Sequence, residues 1–306
     1  MIAGNGFGEN GRKISYKLIF NPKAGGGRAY QVLSDIKFYF RKYAKNYSLD
    51  IYETSYTGDA TKEAKKAPGE YDVVIAAGGD GTINEIINGL VNTNTALGII
   101  PVGTANVFAS EQGIDSIEKA VKAIVKNEVR KIDVGEANGT FFLSWLGCGI
   151  DSHVLKFVEA QTGFYHHKRS FGIIAYIVYG FKSLFFFKPR KLYFKLEGKS
   201  YKAYHVLVSN IKTYGQRYLF LAPYAKLDDG CLDVTLFLSK NKWSIFRYAY
   251  KLAEGKHLHL PDVVTFKARN MWLTSKKPVY THKDGDLFEK TPVRIRVWPK
   301  ALKVIL

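Results

Sequence analysis

Three times in its first third the chain runs a short apolar stretch straight into a glycine-bearing loop: IFNPKAGGGR at 19–28, IAAGGDGTINE at 75–85 and IIPVGTANVF at 99–108. Helical spacing follows each time. Val32, Leu33, Ile36 and Phe40 share a face after the first loop, with Lys37, Arg41 and Lys42 turned away. Ile83, Ile86, Ile87 and Leu90 do so after the second, and SIEKAVKAIVKN follows the third. Strands alternating with helices in this way predict an α/β domain with a Rossmann-like, largely parallel sheet. Its expected strands are YKLIF, LDIYET, YDVVIAA and ALGIIPVG, with GDATKEAKKA a polar helix between the second and third.

From about Lys131 the texture changes to Tyr- and Phe-rich alternating runs, RKLYFKLEG, YHVLVSN, CLDVTLFLS and VRIRVWP, which read as antiparallel strands. The expected organisation is a loose leader over 1–13, an α/β domain over 14–131 and an all-β sandwich over 132–306, whose last strand can return to the first domain. One segment interrupts the second domain: HHKRSFGIIAYIVYGFKSLFFFKPRK, His166 to Lys191, reads as helical. Its apolar part, Phe171 to Phe187, is broken by Lys182 and is marginal for crossing a bilayer. Three readings stay open, a helix covering the β domain, a helix at a membrane surface and a span of the bilayer, and the flanking Lys168, Arg169, Lys188, Arg190 and Lys191 suit anionic headgroups.

Residues 1–13 carry four glycines and no apolar run, so they lack the core of a secretory signal. Cys148 and Cys231 are too few for a disulfide framework, which fits a reducing cytosol. The net charge of +18 implies attraction to an acidic partner; nucleic acid, anionic lipid and nucleotide phosphate all qualify. His257 and His259 would share a face on a strand, but no carboxylate stands beside them to suggest a metal site. Asp228, Asp229 and Asp233 read equally as turn and strand-edge residues or as metal ligands.

In an open parallel sheet the loops after the strands gather on one edge, where ligands bind. Glycines let the backbone approach a phosphate, and amides at a helix start donate to it. No glycine loop ends in Lys followed by Ser or Thr, and no GxGxxG follows a strand, so the two commonest nucleotide loops are absent. Asp80 then needs explaining, because a carboxylate about 4 Å from a phosphate charge is repelled by roughly 4 kcal/mol at an effective dielectric near 20. A magnesium ion, a cation such as Lys23, or a ligand hydroxyl would turn that penalty into binding; alternatively Asp80 caps the helix expected to begin at Thr82 or Ile83.

GGDGTINEIINGL, with NPKAGGG before it and GIIPVGTANVFA after it, resembles the diacylglycerol kinase catalytic-domain family of lipid kinases, which includes bacterial diacylglycerol kinases, sphingosine kinases and ceramide kinases. The resemblance continues through LAPYAKLDDGCLDVTLF, similar to the family's P-x-A-x-x-x-D-G segment, and HKDGDLFE, similar to its D-G-E segment. It implies a two-domain ATP-dependent kinase with nucleotide in the cleft between an α/β domain and a β-sandwich that takes the lipid. By position it implies a nucleotide site of Asn21, Pro22, Lys23, Ala24, Gly25, Thr54, Gly78, Gly79, Asp80, Gly81, Thr82, Ile83, Asn84 and Thr104. It implies Asp286 as general base on the lipid hydroxyl and Asp80 as the holder of Mg2+ or its waters. It also implies a metal site at Lys226, Asp229 and Cys231, with Lys and Cys contributing backbone carbonyls. Three departures stand out: Val107 follows Asn106 where many diacylglycerol kinases carry Asp, Asp286 stands where Glu is usual, and Ala24 replaces a frequent Ser.

The expected function is therefore transfer of the γ-phosphate of ATP to a lipid alcohol, diacylglycerol first. A sphingoid base, ceramide or polyprenol, an NAD kinase, and a basic nucleotide-binding protein without kinase activity are the alternatives. The expected partners are the lipid alcohol and an anionic membrane surface, not nucleic acid; the expected location is cytoplasmic, peripheral at the inner face of the membrane, and a homodimer is left open.

Overall fold

The computed structural model describes residues 13–27, 29–162, 172–196 and 198–306. The leader, apart from Lys13, and residues 166–171 of the apolar segment lie outside the described residues. The chain divides into two compact units: one up to Val134 with Leu227–Asp229 and Trp298–Leu306, the other Gly135–Lys226 with Gly230–Val297.

In the first unit four strands, β1 (Ile14–Phe20), β2 (Tyr47–Glu53), β3 (Val73–Gly78) and β4 (Ala96–Pro101), lie parallel in the order β2-β1-β3-β4. The far end of the last strand of the chain pairs parallel with β4 through Val304 and Leu97. β3 is buried along its whole length, as its unbroken apolar run requires of a strand covered on both faces. Between the strands run α1 (Ala29–Tyr43), α2 (Asp59–Lys66), α3 (Asp80–Leu90), α4 (Val107–Glu111) and α5 (Ile117–Lys126). α1 packs on α5 and α2 on α3. The order carries a consequence: the chain leaves β1 toward β2 and then returns past it to β3, so β1 and β3 are neighbours whose outgoing connections run in opposite directions. The ends of β1 and β3 flank such a switch point, where open α/β sheets bind ligands.

The second unit is antiparallel. Its strands are the end of β5 (Val129–Ala137), then β6 (Thr140–Phe142), β7 (Trp145–Cys148), β8 (Leu192–Leu196), β9 (Lys199–Ala203), β10 (His205–Ser209), β11 (Thr213–Tyr214), β12 (Gln216–Phe220), β13 (Leu232–Phe237), β14 (Val263–Ala268), β15 (Asn270–Ser275), β16 (Tyr280–Lys283), β17 (Asp286–Lys290) and the start of β18 (Val293–Ile305). Six of these form a sheet in the order β14-β13-β10-β7-β16-β17. Its inward residues Leu146, Cys148, Val206, Val208 and Val234 share one core with Phe194 of β8, Leu273 of β15 and Ile295 of β18. Because side chains alternate along a strand, Leu207 of β10 faces the other way and joins Phe237 and Tyr248 in a second cluster. Tyr248 belongs to α8 (Ser244–Ala253), a helix absent from the strand pattern of that stretch. Two further helices, α6 (Ile150–Thr162) and α7 (Gly172–Phe186), pack on each other. At 1.5 Å per residue the described part of α7 is about 22 Å long, short of a bilayer's apolar thickness. Among the described residues no helix is long and apolar enough to cross a membrane. His257 and His259 lie on a 3-10 turn rather than a strand, and the Nε2 of His257 bonds the Leu221 carbonyl oxygen at 2.8 Å.

Candidate active site

The first unit brings its three glycine loops together by main-chain contact. Asn21, next after β1, donates its backbone N–H to the Ala77 oxygen of β3 (3.0 Å), and its Nδ2 reaches Thr82 Oγ1 at 3.2 Å. Asn21 Oδ1 accepts from the Lys23 amide at 2.9 Å, so Asn21 to Lys23 turn tightly back over the strand ends. Thr54, next after β2, donates its amide to the Phe20 oxygen at 2.9 Å and stands beside Asn21. Val102 donates to the Gly78 oxygen at 3.0 Å, tying the third loop to the second.

Two glycines are required by these approaches. A Cβ on Gly103 would lie 2.5 Å from the Gly79 Cα, and one on Gly78 2.4 Å from Thr82 Oγ1. Gly25, at φ +66°, completes the ring against the Val102 oxygen, 3.0 Å from where its own Cβ would stand. Beside Gly25 and Gly103 opens a cavity of about 330 Å³, whose wall includes Gln31 and Asp35 of α1. Neither residue carried a motif; their only signal was placement one helical turn apart just after the first loop.

α3 begins at Asp80 itself, with Gly79 at its N-cap and no side-chain cap. This corrects the capping reading, which put the helix start at Thr82 or Ile83. Asp80 Oδ1 instead accepts the backbone N–H of Val107, the first residue of α4, at 2.8 Å. The helix also sorts the loop residues. Ile83 is buried in the core, and the amides of both Thr82 and Ile83 bond the Gly79 oxygen at 3.0 and 3.1 Å. Gly81 and Thr104 are exposed, and Gly81 sits in the first turn, where amides have no carbonyl one turn earlier to bond. Asn106, in the left-handed region at φ 47°, closes the third loop on itself, accepting from Gly103 N–H at 2.9 Å and donating to Gly103 O at 2.7 Å.

In the second unit Asp286 opens β17 directly after a two-residue turn, Asp284-Gly285, and is exposed. Asp284, the other acid of the D-G-D run, is buried and accepts three backbone amides, from Leu143 (2.7 Å), Ser144 (2.7 Å) and Trp145 (3.0 Å). It anchors the β16–β17 hairpin from which Asp286 projects. Behind the same hairpin, His282 Nε2 meets Asp151 Oδ2 at 2.5 Å, and His205 Nδ1 lies 3.6 Å from Asp151 Oδ1. Tyr214 OH donates to Asp151 Oδ2 at 3.2 Å. Burial pushes the Asp151 carboxyl upward, but the two imidazoles and the hydrogen bonds from His282 and the Ser152 amide outweigh it and hold it at about 2. Burial also lowers His205, against the pull of Asp151. Gly147 is the residue that admits this cluster, since a Cβ there would stand 2.1 Å from Asp151 Oδ2 and 2.2 Å from His282 Nε2.

Residues 15–137 match the diacylglycerol kinase catalytic domain, and residues 145–306 match the YegS C-terminal NAD kinase beta sandwich-like domain. A diacylglycerol kinase of Bacillus subtilis (strain 168) is 30% identical over 277 residues, covering 88% of this chain and 89% of its own length. The chain belongs to the diacylglycerol kinase family. One from Staphylococcus aureus (strain MRSA252) is 30% identical over 90% of this chain and 87% of its own. A crystal structure of a diacylglycerol kinase from Bacillus anthracis str. Sterne superposes with a TM-score of 0.70 at 26% identity, covering 95% of this chain and 96% of that one. The α/β-plus-sandwich fold is that of the family, and the chain is accordingly a lipid kinase. The diacylglycerol kinase motifs at the end of the second unit thus carry two acids of opposite character, a buried anchor at 284 and an exposed carboxylate at 286. The D-G segment carries three carboxylates, with Asp228 and Lys226 exposed and Asp233 paired to Lys267 at 2.8 Å, and Asp229 is the one the resemblance assigned to a metal. Among the described residues no group of three His, Cys, Asp or Glu side chains converges on a metal position. Of Lys226, Asp229 and Cys231 only Asp229 has a side-chain oxygen, the donor a hard cation prefers, so the other two would serve such an ion through main-chain carbonyls.

Proposed function

We propose that this kinase transfers the γ-phosphate of ATP to the hydroxyl of diacylglycerol, giving phosphatidic acid. The observation that carries the reading is the ring of Gly25, Gly78, Gly79 and Gly103, where three loops at the switch point meet by backbone contact and leave room for a phosphate chain. Around it Asn21, Pro22, Lys23, Ala24, Thr54, Thr82, Asn84 and Thr104 line the nucleotide, and the Gly81 amide donates to phosphate. ATP enters as its magnesium complex, whose cation offsets the repulsion between the phosphates and Asp80. Asp286 takes the proton of the acceptor hydroxyl as it attacks phosphorus. A structural cation at Lys226, Asp229 and Cys231, and a peripheral location on an anionic membrane, belong to the same proposal.

The test is purified protein with radiolabelled ATP and magnesium, offered diacylglycerol, sphingosine, ceramide, a polyprenol and NAD separately, with the products resolved by chromatography. Labelled phosphatidic acid as the dominant product is the expected result. Dominant labelling of another alcohol would reassign the acceptor. Labelling of none would refute the reading.

A further inference from the structure

The outer face of α8 inverts the usual pattern of a surface helix. Tyr248 points inward, packing on Phe237 and donating its hydroxyl to Asp262 at 2.7 Å. Trp243, Phe246 and Tyr250, spaced three and then four residues apart, point outward and stay 39 to 61% exposed. α7 does the same: Ser183 and Leu184 are buried, while Phe181, Phe185 and Phe186 are 55 to 66% exposed. The two stripes touch. Phe181 lies 5.5 Å from Phe246 between ring centroids, Phe185 lies 5.9 Å edge-on to Trp243, and Trp243 stacks on Phe246 at 5.9 Å. Lys242 fastens them, donating its Nζ to the Phe185 oxygen at 3.0 Å. So many large apolar rings gathered in one exposed patch mark an interaction surface, since solubility alone favours polar groups on an outward helix face.

Basic residues predominate around the patch; its bordering acids are Asp262 and Glu254, the latter accepting from Tyr250 at 3.0 Å. The stretches 172–196 and 238–253 contain no Asp or Glu, and they carry Lys182, Lys188, Arg190, Lys191, Lys195, Lys240 and Lys242 besides Arg247 and Lys251. Arg247 and Lys251 are neutralised by Asp262 and Glu254. We infer that the α7–α8 aromatic face is the surface by which this enzyme docks on an anionic bilayer, its rings entering the headgroup layer and its lysines meeting lipid phosphates. Aromatic rings with cationic neighbours suit that interface, where one side of the group is apolar and the other wet. A second copy is a poor occupant, because a twofold interface would press this basic face against itself. Single-stranded nucleic acid is also poorer, because the Trp243 and Phe246 faces that would stack on bases already stack on each other. The inference rests on the lipid acceptor proposed above and names how that acceptor's membrane is reached.

Two variants and two assays test it. The Trp243→Ala/Phe246→Ala double variant and the Lys182→Glu/Lys242→Glu double variant change only surface side chains outside the glycine ring and the Asp286 hairpin. Binding is measured by sedimentation with vesicles of phosphatidylglycerol and phosphatidylcholine, without ATP or diacylglycerol; activity is measured on a short-chain diacylglycerol in solution. The expected result is at least about tenfold weaker vesicle binding by both variants, the charge variant approaching wild type in high salt as screening removes the lipid attraction. Activity on the soluble substrate should stay at the wild-type level. Vesicle binding unchanged in the aromatic variant overturns the inference. So does unchanged vesicle binding together with a loss of dimer on a sizing column, or with lost binding to a single-stranded oligonucleotide. If wild type phosphorylates no lipid in solution yet loses vesicle binding through these substitutions, the docking surface stands and the proposed reaction falls.

Discussion

Asp80 stands where a carboxylate ought to repel the ligand, and the bond its Oδ1 accepts from the Val107 amide shows how to separate its charge from its place in the fold. Asparagine keeps an oxygen that can accept the Val107 amide. Asp80→Asn should therefore melt close to wild type while turnover falls at least about a hundredfold, roughly 2.7 kcal/mol in the transition state. Asp80→Ala should add a stability loss of about 1 kcal/mol, because it also strips the first amide of α4 of its acceptor. Equal turnover in Asp80→Asn and wild type would assign the residue to structure alone. Asp286 asks a different question. Loss of a base removes the chemical step and spares nucleotide binding, so Asp286→Asn should abolish lipid phosphorylation with ATP affinity near wild type; a matching loss of ATP affinity would point to a metal ligand instead. Gly103→Ala places a methyl 2.5 Å from the Gly79 Cα, and overpacking of that kind costs about 1–3 kcal/mol. Its larger effect should be on nucleotide affinity, read by calorimetric titration, since the two loops that must part are the ones that would hold phosphate.

At the scale of elements, the β16–β17 hairpin holds Asp286, the proposed base, and its buried anchor Asp284. Asp284 replaces water for three buried amides on the strand approach 143–145, and hydrogen bonds to a charged group are each worth about 1.5–3 kcal/mol. Asp284→Ala would leave those donors unsatisfied, so chemical denaturation should show a loss of at least about 3 kcal/mol, with activity lost through displacement of the hairpin. A variant of near-native stability would show that water or main chain can take over the anchor. A buried acid and an exposed acid two residues apart look alike in DGD; only the turn, with Asp284 at φ 47° and Gly285 at φ 86°, sends one inward and the other out. α8 was missed for a related reason. Its stretch SIFRYAYKLA does carry Ile245, Tyr248 and Leu252 at helical spacing, but Phe246 and Tyr250 interleave with them and blur the contrast between the inner and outer faces.

For the whole molecule, acid should destabilise in two stages. His205, His153 and His257 are all lowered from the ordinary 6.5 by burial, with Asp151, His282 and backbone oxygens among the groups facing them. A folded imidazole with a depressed pKa takes its proton later than the unfolded chain does, so the unfolded state binds more protons as pH falls below 6.5 and stability declines. Asp151, depressed from 3.8 to about 2, contributes stability that is present above 3.8 and lost as pH falls through about 2. The melting temperature should therefore fall between pH 7.5 and 5, and His205→Gln should flatten that slope; a flat wild-type profile would contradict it. The sequence by itself determined the α/β alternation, the antiparallel second half and the glycine loops, because strand and helix periodicity and a glycine's backbone freedom are local properties carried by a few adjacent residues. The tertiary structure alone decided which loops touch, that Asp80 serves α4 rather than its own helix, and that His282 meets Asp151 across 131 residues of chain. Those outcomes depend on strand order and burial, and the distance between two charges in a fold is written in no local pattern.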